Sequence, residues 1–187
     1  MASIIGNVLT EDTFEDMVEL AMFPPAAEYN TFNSAFSNTA QRLKGSDSFE
    51  FYGSKSLAPL VRWRCISAYQ SGWLATQSPI WTGTIEIEFM ASGTQDHDTA
   101  TVSSHKRLVR YWAQASEAIN KQNAGTGYSD GAFFRSNAGV TAPGVQVLGV
   151  GDISVRINPA RKRADLGADV WTQYGTVTVQ FAAGPGA

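Results

Sequence analysis

The clearest pattern of hydrophobic and polar positions lies between Trp81 and Asn123. From Thr84 to Phe89, apolar residues at odd positions alternate with threonine or glutamate at even positions. Because successive side chains of a strand point to opposite faces of a sheet, this alternation predicts a half-buried strand. After a polar loop, apolar residues recur at three- and four-residue steps and predict a long helix from about Thr99 to Asn123. The predicted apolar stripe of this helix comprises Val102, His105, Leu108, Val109, Trp112, Ala115, Ser116 and Ile119.

The opposite side of this predicted helix is polar and carries Lys106, Arg107 and Arg110. A helix with one apolar face buries that face against another element of the fold. We therefore expect one long helix to pack on a mostly antiparallel sheet.

Residues 1–46 predict an N-terminal helical segment. Thr10 is placed to cap a first helix, which has an acidic first turn and ends at Pro24. A second helical pattern runs from about Thr31 to Lys44, and Gly45 follows it at the position of a C-terminal cap. The apolar face of the first helix consists of Phe14, Met17, Val18, Ala21 and Met22.

Four further segments have the composition of strands. Ser48 to Tyr52 predicts a short strand, and Leu60 to Tyr69 alternates apolar residues with arginine. In Val145 to Ile157 and Asp169 to Ala182, apolar residues at odd positions alternate with polar residues at even positions, most regularly over Ile153 to Ile157 and Thr176 to Phe181. We expect the last two to form an antiparallel hairpin with one buried and one solvated face, joined by the polar connection Asn158 to Ala168.

Ala124 to Gly144 is rich in glycine, serine, asparagine and alanine and predicts a loop of about twenty residues, longer than most loops in compact folds. It contains three aromatic residues, Tyr128, Phe133 and Phe134. These side chains either pack back onto the sheet or contact a partner. Residues 183–187 predict a loose C-terminal tail.

Length and composition predict one α+β domain over residues 1–187. Hydrophobic residues make up 43% of the chain and charged residues 17%, which favours a globular fold over intrinsic disorder. The net charge of −3 gives no overall attraction to nucleic acid or to an anionic membrane. We identify neither a signal peptide nor an apolar run long enough to span a membrane, so we expect folding in a cytoplasm.

Residues with catalytic or metal-binding chemistry are sparse. Asp96-His97-Asp98 has the composition of a metal or triad fragment, but in an extended chain His97 points away from both aspartates. The single cysteine, Cys65, excludes an internal disulfide and a cysteine-rich zinc site. Gly149-Val150-Gly151-Asp152 precedes a strand rather than a helix, so its glycines indicate a bulge or bend instead of a nucleotide loop. We therefore predict no catalytic residue, no cofactor and no metal site.

The densest charged feature is Arg161-Lys162-Arg163 in the connection between the last two strands. One interpretation is a solvated hairpin tip. The other is an electrostatic contact with an acidic protein surface or with phosphate. Three basic residues without interleaved aromatic side chains are weak evidence for a nucleic-acid groove.

The order of the predicted elements resembles that of the tail-terminator and head–tail joining (neck) proteins of long-tailed bacteriophages. An N-terminal helical segment leads into the strand at Leu60 to Tyr69, and the alternating strand Thr84 to Met90 is followed by the long helix. A loop then leads to Val145 to Ile157, and the chain finishes in the strand Val170 to Phe181. The chain departs from the family in the length of the Ala124 to Gly144 loop and in the amount of sequence before the first strand. The helix residues that carry the resemblance are His105, Leu108, Val109 and Trp112.

This resemblance implies a mechanical function without catalysis or cofactor. Such proteins form rings, commonly sixfold, that cap the tail tube and dock it to the connector under the capsid. By implication this protein forms a homo-oligomeric ring, a hexamer, that contacts the tail tube protein and the neck or connector proteins. It would reside in the virion at the head–tail junction, and in the host cytoplasm during assembly, with DNA passing nearby and no membrane contact. We expect the partner contacts in residues 124–144 and 158–168, through Tyr128, Phe133, Phe134, Arg161, Lys162 and Arg163.

Two alternatives stay open from the sequence. Another virion subunit, such as a tail tube, coat or decoration protein, would share the polar, weakly charged composition. A small α+β enzyme or ligand-binding domain would need a pocket lined by Trp63, Trp81 or Tyr111 with a perturbed acid beside it.

Overall fold

A computed structural model describes residues 11–23, 41–45, 59–74, 79–92, 104–124, 145–166 and 169–185. Over these residues the protein is a mixed α+β structure, mostly sheet, with two helices and six strands. The helices are α1 (Glu11–Met22) and α2 (Ser104–Ala124). The strands are β1 (Gln41–Lys44), β2 (Leu60–Trp73), β3 (Pro79–Ser92), β4 (Val145–Ile157), β5 (Arg161–Lys162) and β6 (Val170–Pro185).

All six strands belong to one sheet, in which the order is β1-β2-β3-β6-β4 and the short β5 pairs with β6. Every pairing is antiparallel except that of β1 with β2. The pairing of β2 with β3 shifts register between Cys65 and Ser67 and again between Gln70 and Gly72. The pairing of β4 shifts at Gly149 and again before Ile153, which confirms the bulge predicted from its glycines.

One face of the sheet carries the hydrophobic core. In β3 the odd residues are buried beneath the two helices, as the alternation predicts. Two glycines allow the helices to approach the sheet closely. A Cβ at Gly83 would lie 2.1 Å from the ring of Phe14 in α1, and one at Gly175 would lie 2.4 Å from Trp112 in α2. Glycine is needed at both positions because the aromatic rings occupy the space of a side chain.

The predicted apolar stripe of the long helix was wrong for two of its residues, Val109 and His105. Leu108, Trp112, Ala115 and Ile119 are buried, but Val109 is 51% exposed. His105 is also exposed, with its ring 5.3 Å from that of Trp171. In their place Tyr111 and Arg107 are buried, the latter contrary to its predicted solvent-facing side. The long Arg107 side chain donates from Nη1 to the carbonyl oxygen of Ser92 at 3.2 Å, at the end of β3.

The long helix does not pack on the sheet alone, since α1 and α2 share this face and contact each other. The second N-terminal helix, predicted at Thr31 to Lys44, is contradicted at its end, where Gln41–Lys44 forms β1 parallel to the start of β2. Gly45 ends this strand with a φ of 95° and donates its N–H to the carbonyl oxygen of Trp63 at 3.0 Å. Backbone pairing with β2 therefore outweighs the local helical pattern in these residues. The rest of that pattern, the predicted strand at Ser48 to Tyr52 and residues 125–144 lie outside the described residues.

Candidate functional site

The face of the sheet opposite the helices is polar and begins with a buried ion pair. The antiparallel register places Arg62 opposite Glu88, and Glu88 opposite Tyr174. Arg62 donates from Nε to the Glu88 carboxylate, and the two side chains are 6% and 1% exposed. Burial, and next the neighbouring Glu88 carboxylate, raise the pKa of the Tyr174 hydroxyl, so the phenol stays protonated.

One end of this face is apolar and explains why the ion pair is buried. Leu60, Met90 and Val170 form a second hydrophobic cluster, against which Leu43 and Leu166 pack. Leu166 belongs to the turn that follows β5, and its N–H bonds to the carbonyl oxygen of Arg163 at 3.0 Å. The connection between β4 and β6 therefore folds over this end of the sheet.

Towards the other end the same face is rich in hydroxyl groups and, at Arg64, Glu86 and Thr84, partly exposed. Arg64 donates from Nε and Nη2 to one oxygen of Glu86, at 3.0 and 2.9 Å, with both side chains partly exposed. Beyond this pair, the hydroxyls of Thr84 and Thr178 lie 3.4 Å apart. The hydroxyl of Thr82 donates to that of Ser71 at 2.8 Å. These neutral bonds satisfy the hydroxyl groups locally.

An open cleft of about 320 Å³ lies between this polar face and the start of the β4–β6 connection. Glu86, Asn158, Pro159, Arg161 and Tyr174 line it. Its walls supply one guanidinium, one carboxylate already bonded by an arginine, and one phenol. The described residues include no group of three or more histidine, cysteine, aspartate or glutamate side chains suited to a metal ion.

The predicted basic trio lies in and beside β5, but its three members differ in environment. Arg161 and Lys162 are exposed and form no ion pair within the described ranges. Arg163 instead donates to the Asp165 carboxylate. Its Nε lies 2.9 Å from Oδ1 and 3.2 Å from Oδ2, and its Nη2 lies 2.7 Å from Oδ2. That bonding raises the pKa of Arg163 and lowers that of Asp165. We use the name basic edge for the exposed residues Arg156, Arg161 and Lys162.

The other predicted site residues divide between the core and the undescribed segments. Trp63, Trp81 and Tyr111 are buried in the hydrophobic core and do not line the cleft. Tyr128, Phe133 and Phe134 lie outside the described residues, as do Asp96, His97 and Asp98.

A second exposed surface, not predicted from the sequence, follows the outer edge of β2. The six large hydrophobic side chains exposed in the described structure include Ile66 (49%), Tyr69 (54%), Trp73 (64%) and Leu74 (40%). Within the described ranges, β1 pairs with β2 only from Leu60 to Trp63, so no strand covers the edge from Ile66 to Trp73. We call this segment the open edge. The two register shifts in β2, one at the start of this edge and one within it, interrupt the simple alternation, which is why the pattern did not indicate an exposed apolar surface there.

Glu15 of α1 marks the beginning of the open edge. Its Oε1 accepts the backbone N–H of Cys65 at 2.7 Å, and its own carbonyl oxygen accepts Nε1 of Trp63 at 3.1 Å. Burial raises the pKa of the Glu15 carboxyl, while the bond from Cys65 opposes that shift. The Cys65 side chain is buried, and its Sγ bonds to the carbonyl oxygen of Ser67 at 3.2 Å.

Cys65 is expected to be unreactive in the folded protein, because burial raises the pKa of its thiol to about 11. At pH 8 the thiolate fraction should be about 100-fold lower than for a thiol of pKa 9, and a thiol-specific disulfide reagent should label native protein correspondingly slowly. The same pKa shift makes the free energy of unfolding depend on pH. The unfolded chain releases this proton first, so the free energy of unfolding falls as the pH rises from about 9 to about 11.

The control for this prediction is Cys65→Ala, which should lose that part of the alkaline decline and keep the rest. Rapid labelling of the native wild type at pH 8, equal to that of urea-unfolded protein, would contradict the buried thiol.

Acidic side chains gather on α1, on the β2 side of the molecule. The helix carries five acidic residues and no basic one: Glu11, Asp12, Glu15, Asp16 and Glu19. Lys44 of β1 forms ion pairs with Asp16 and with Glu19, the latter at 3.6 Å. Glu11 and Asp12 are exposed and form no ion pair within the described residues. The exposed acidic residues Glu11 and Asp12 therefore lie on the β2 side of the sheet, and the basic edge lies on the side of β4 and β5.

No helix in the described part of the chain combines the length and apolar character needed to cross a membrane. The sequence matches no protein-family model, and no curated protein matches it either. The functional interpretation therefore depends on the surfaces described above and on the resemblance in layout.

Proposed function

We propose that this protein is a structural virion protein of a tailed bacteriophage. It forms a ring at the head–tail junction, where it terminates the tail tube and joins it to the neck or connector. Its partners are further copies of itself, the tail tube protein and the connector proteins. As part of this proposal, α2 is the principal helix packed on the sheet, and α1 belongs to an N-terminal helical segment that leads into β1.

The observation that supports this proposal is the open edge. Four of the six large exposed hydrophobic side chains of the described structure fall between Ile66 and Leu74. A long edge strand with exposed apolar side chains is a surface for strand addition, and a protein that leaves one exposed needs a partner to cover it. By contrast, the cleft contains no nucleophile and base within bonding distance of each other. An assembly function therefore accounts for more of the surface than a catalytic one.

The proposal is tested by measuring the mass of the purified protein by light scattering and imaging the same fraction by electron microscopy. The expected result is a closed ring, or a monomer that forms a ring when tail tubes are added. Rings should bind to tube ends and not along tube walls. Open tubes or shells formed by this protein alone would favour another virion subunit and overturn the neck assignment.

The cleft lined by Arg161 and Tyr174 favours one further candidate, a ligand-binding domain for a small anionic compound. Binding of such a compound by a strict monomer that ignores tail tubes would support it. The variant Arg161→Gln would then abolish binding, whereas under the ring proposal no such monomeric binding is observed.

A further inference from the structure

We infer that copies of this chain join head to tail, with the open edge of one copy pairing with β4 of the next. The inference deepens the proposed ring and rests on it, because it names the surfaces through which identical copies meet. It concerns the contact between copies and is independent of what the assembly then binds.

The strand directions of the sheet permit this contact without reorientation. β2 and β3 are antiparallel, as are β3 and β6, and β6 and β4. β4 therefore runs opposite to β2 in the same molecule. When a second copy is placed beside the first in the same orientation, its β4 lies antiparallel to β2, and the antiparallel order continues across the contact. A cyclic assembly needs such a heterologous contact, repeated by rotation.

Both strands that would meet are available along the sheet edges. Within the described ranges, the order β1-β2-β3-β6-β4 leaves β4 at one side of the sheet and β2 uncovered beyond β1 at the other. Exposed apolar side chains occur on both, with Ile66 and Trp73 on β2 and Ile157 (42% exposed) on β4. Pairing would satisfy the outward backbone groups of both strands and bury these side chains.

The charges distinguish this contact from a symmetric one. The acidic residues Glu11 and Asp12 lie on α1, which packs over β2, and the basic edge lies on β4 and β5. A twofold contact between two β2 edges would bring two acidic helices together, and one between two β4 edges would bring two basic edges together. The head-to-tail contact brings opposite charges to the same interface, so electrostatics favours it over both symmetric alternatives.

The experiment uses two variants of the full chain, each of which blocks one side with lysine. The first, Ile66→Lys with Trp73→Lys, blocks the open edge. The second, Ser154→Lys with Ile157→Lys, blocks β4. All four side chains are exposed in the single chain, so both variants should fold. Val109→Lys changes an equally exposed apolar residue on α2, away from both edges, and is the matched control.

Each blocked variant alone is expected to remain monomeric under conditions in which the wild type and Val109→Lys form rings. Mixed together, they should form a one-to-one dimer and nothing larger, because one free open edge then meets one free β4. Light scattering should give twice the chain mass of 20.2 kDa, and isotope-labelled copies should show that each dimer holds one of each variant. Raising the salt concentration should weaken the dimer, since opposite charges face each other.

Other outcomes separate the failure of this inference from the failure of the proposed function. If the open-edge variant is monomeric while the β4 variant dimerises alone, the contact is a symmetric β2 pair and the inference is overturned. If both variants form the same rings as the wild type, the inferred contact is overturned, but the proposed ring is not. One-to-one dimers from the variants, with open filaments from the wild type, would support the contact and overturn the neck function. A wild type that stays monomeric with and without tail tubes would overturn both.

Discussion

Replacing Glu88 with alanine is expected to lower the free energy of unfolding by about 3–5 kcal/mol, measured by urea denaturation. The carboxylate is 1% exposed, and its partner Arg62 is 6% exposed on the neighbouring strand. Without Glu88 the guanidinium stays buried beside Tyr174 with its counter-charge removed. A buried charge that has lost its counter-charge costs more than the ion pair itself contributed, because burial keeps it from recovering its hydration.

Two controls test whether burial is the cause. Glu86→Ala removes the equivalent residue from the outer pair, whose side chains are 33% and 24% exposed, and should cost at most about 1 kcal/mol. Arg62→Met combined with Glu88→Leu removes both charges and should recover most of the loss caused by Glu88→Ala. Equal costs for Glu88→Ala and Glu86→Ala would show that the inner pair is solvated.

Replacing Trp112 with alanine should also lower the free energy of unfolding by about 3–5 kcal/mol. Trp112 is among the largest fully buried side chains, and its ring lies edge-on to Phe89 with centroids 5.1 Å apart. Its Nε1 donates to the carbonyl oxygen of Gln173 at 3.1 Å. The substitution therefore opens a cavity between α2 and the sheet and also removes a buried hydrogen bond.

The neighbouring glycine supplies a coupled test of this packing. Gly175→Ala alone should destabilise the protein by about 1–3 kcal/mol, because its Cβ would lie 2.4 Å from Trp112 and 2.8 Å from the carbonyl oxygen of Arg156. In the Trp112→Ala background the first of these clashes disappears, so the second substitution should cost less than it does in the wild type. Strict additivity of the two costs would contradict the contact between the ring and Gly175.

The parts of the fold that could be predicted from the sequence are those in which burial alternates strictly. β3 and β6 lie in the middle of the sheet, with one face under the helices, so their side-chain pattern reflects their position directly. β1 could not be predicted because only four residues form it, and its stability derives from pairing with a strand at the far end of a long connection. The buried position of Arg107 was missed because its charge indicates solvent, whereas its guanidinium reaches the carbonyl oxygen of Ser92.

The candidate site shows the same division. The basic residues Arg161 and Lys162 could be identified from sequence because a short run of exposed charge needs no tertiary information. The ion pair between Arg163 and Asp165 could not be predicted from the sequence, because it depends on the turn that brings Asp165 close to Arg163. The open edge was missed for a different reason: the register shifts beside Ser67 and Gly72 change which side chains face outward. Exposure of Tyr69 and Trp73 follows from pairing geometry and not from any local pattern.

The hydrogen bond from Cys65 to Glu15 has a consequence for how far a neighbouring strand could extend along β2. The carboxylate occupies the backbone donor just beyond β1, so an added strand has to stop at Ile66. The remaining edge from Ile66 to Trp73 would then span about 24 Å at the usual rise per strand residue. In the proposed assembly, a fixed stopping point would give every copy the same offset from its neighbour and hence the same rotation. Identical contacts close into a ring only when that rotation returns the last copy to the first; otherwise they extend as a filament.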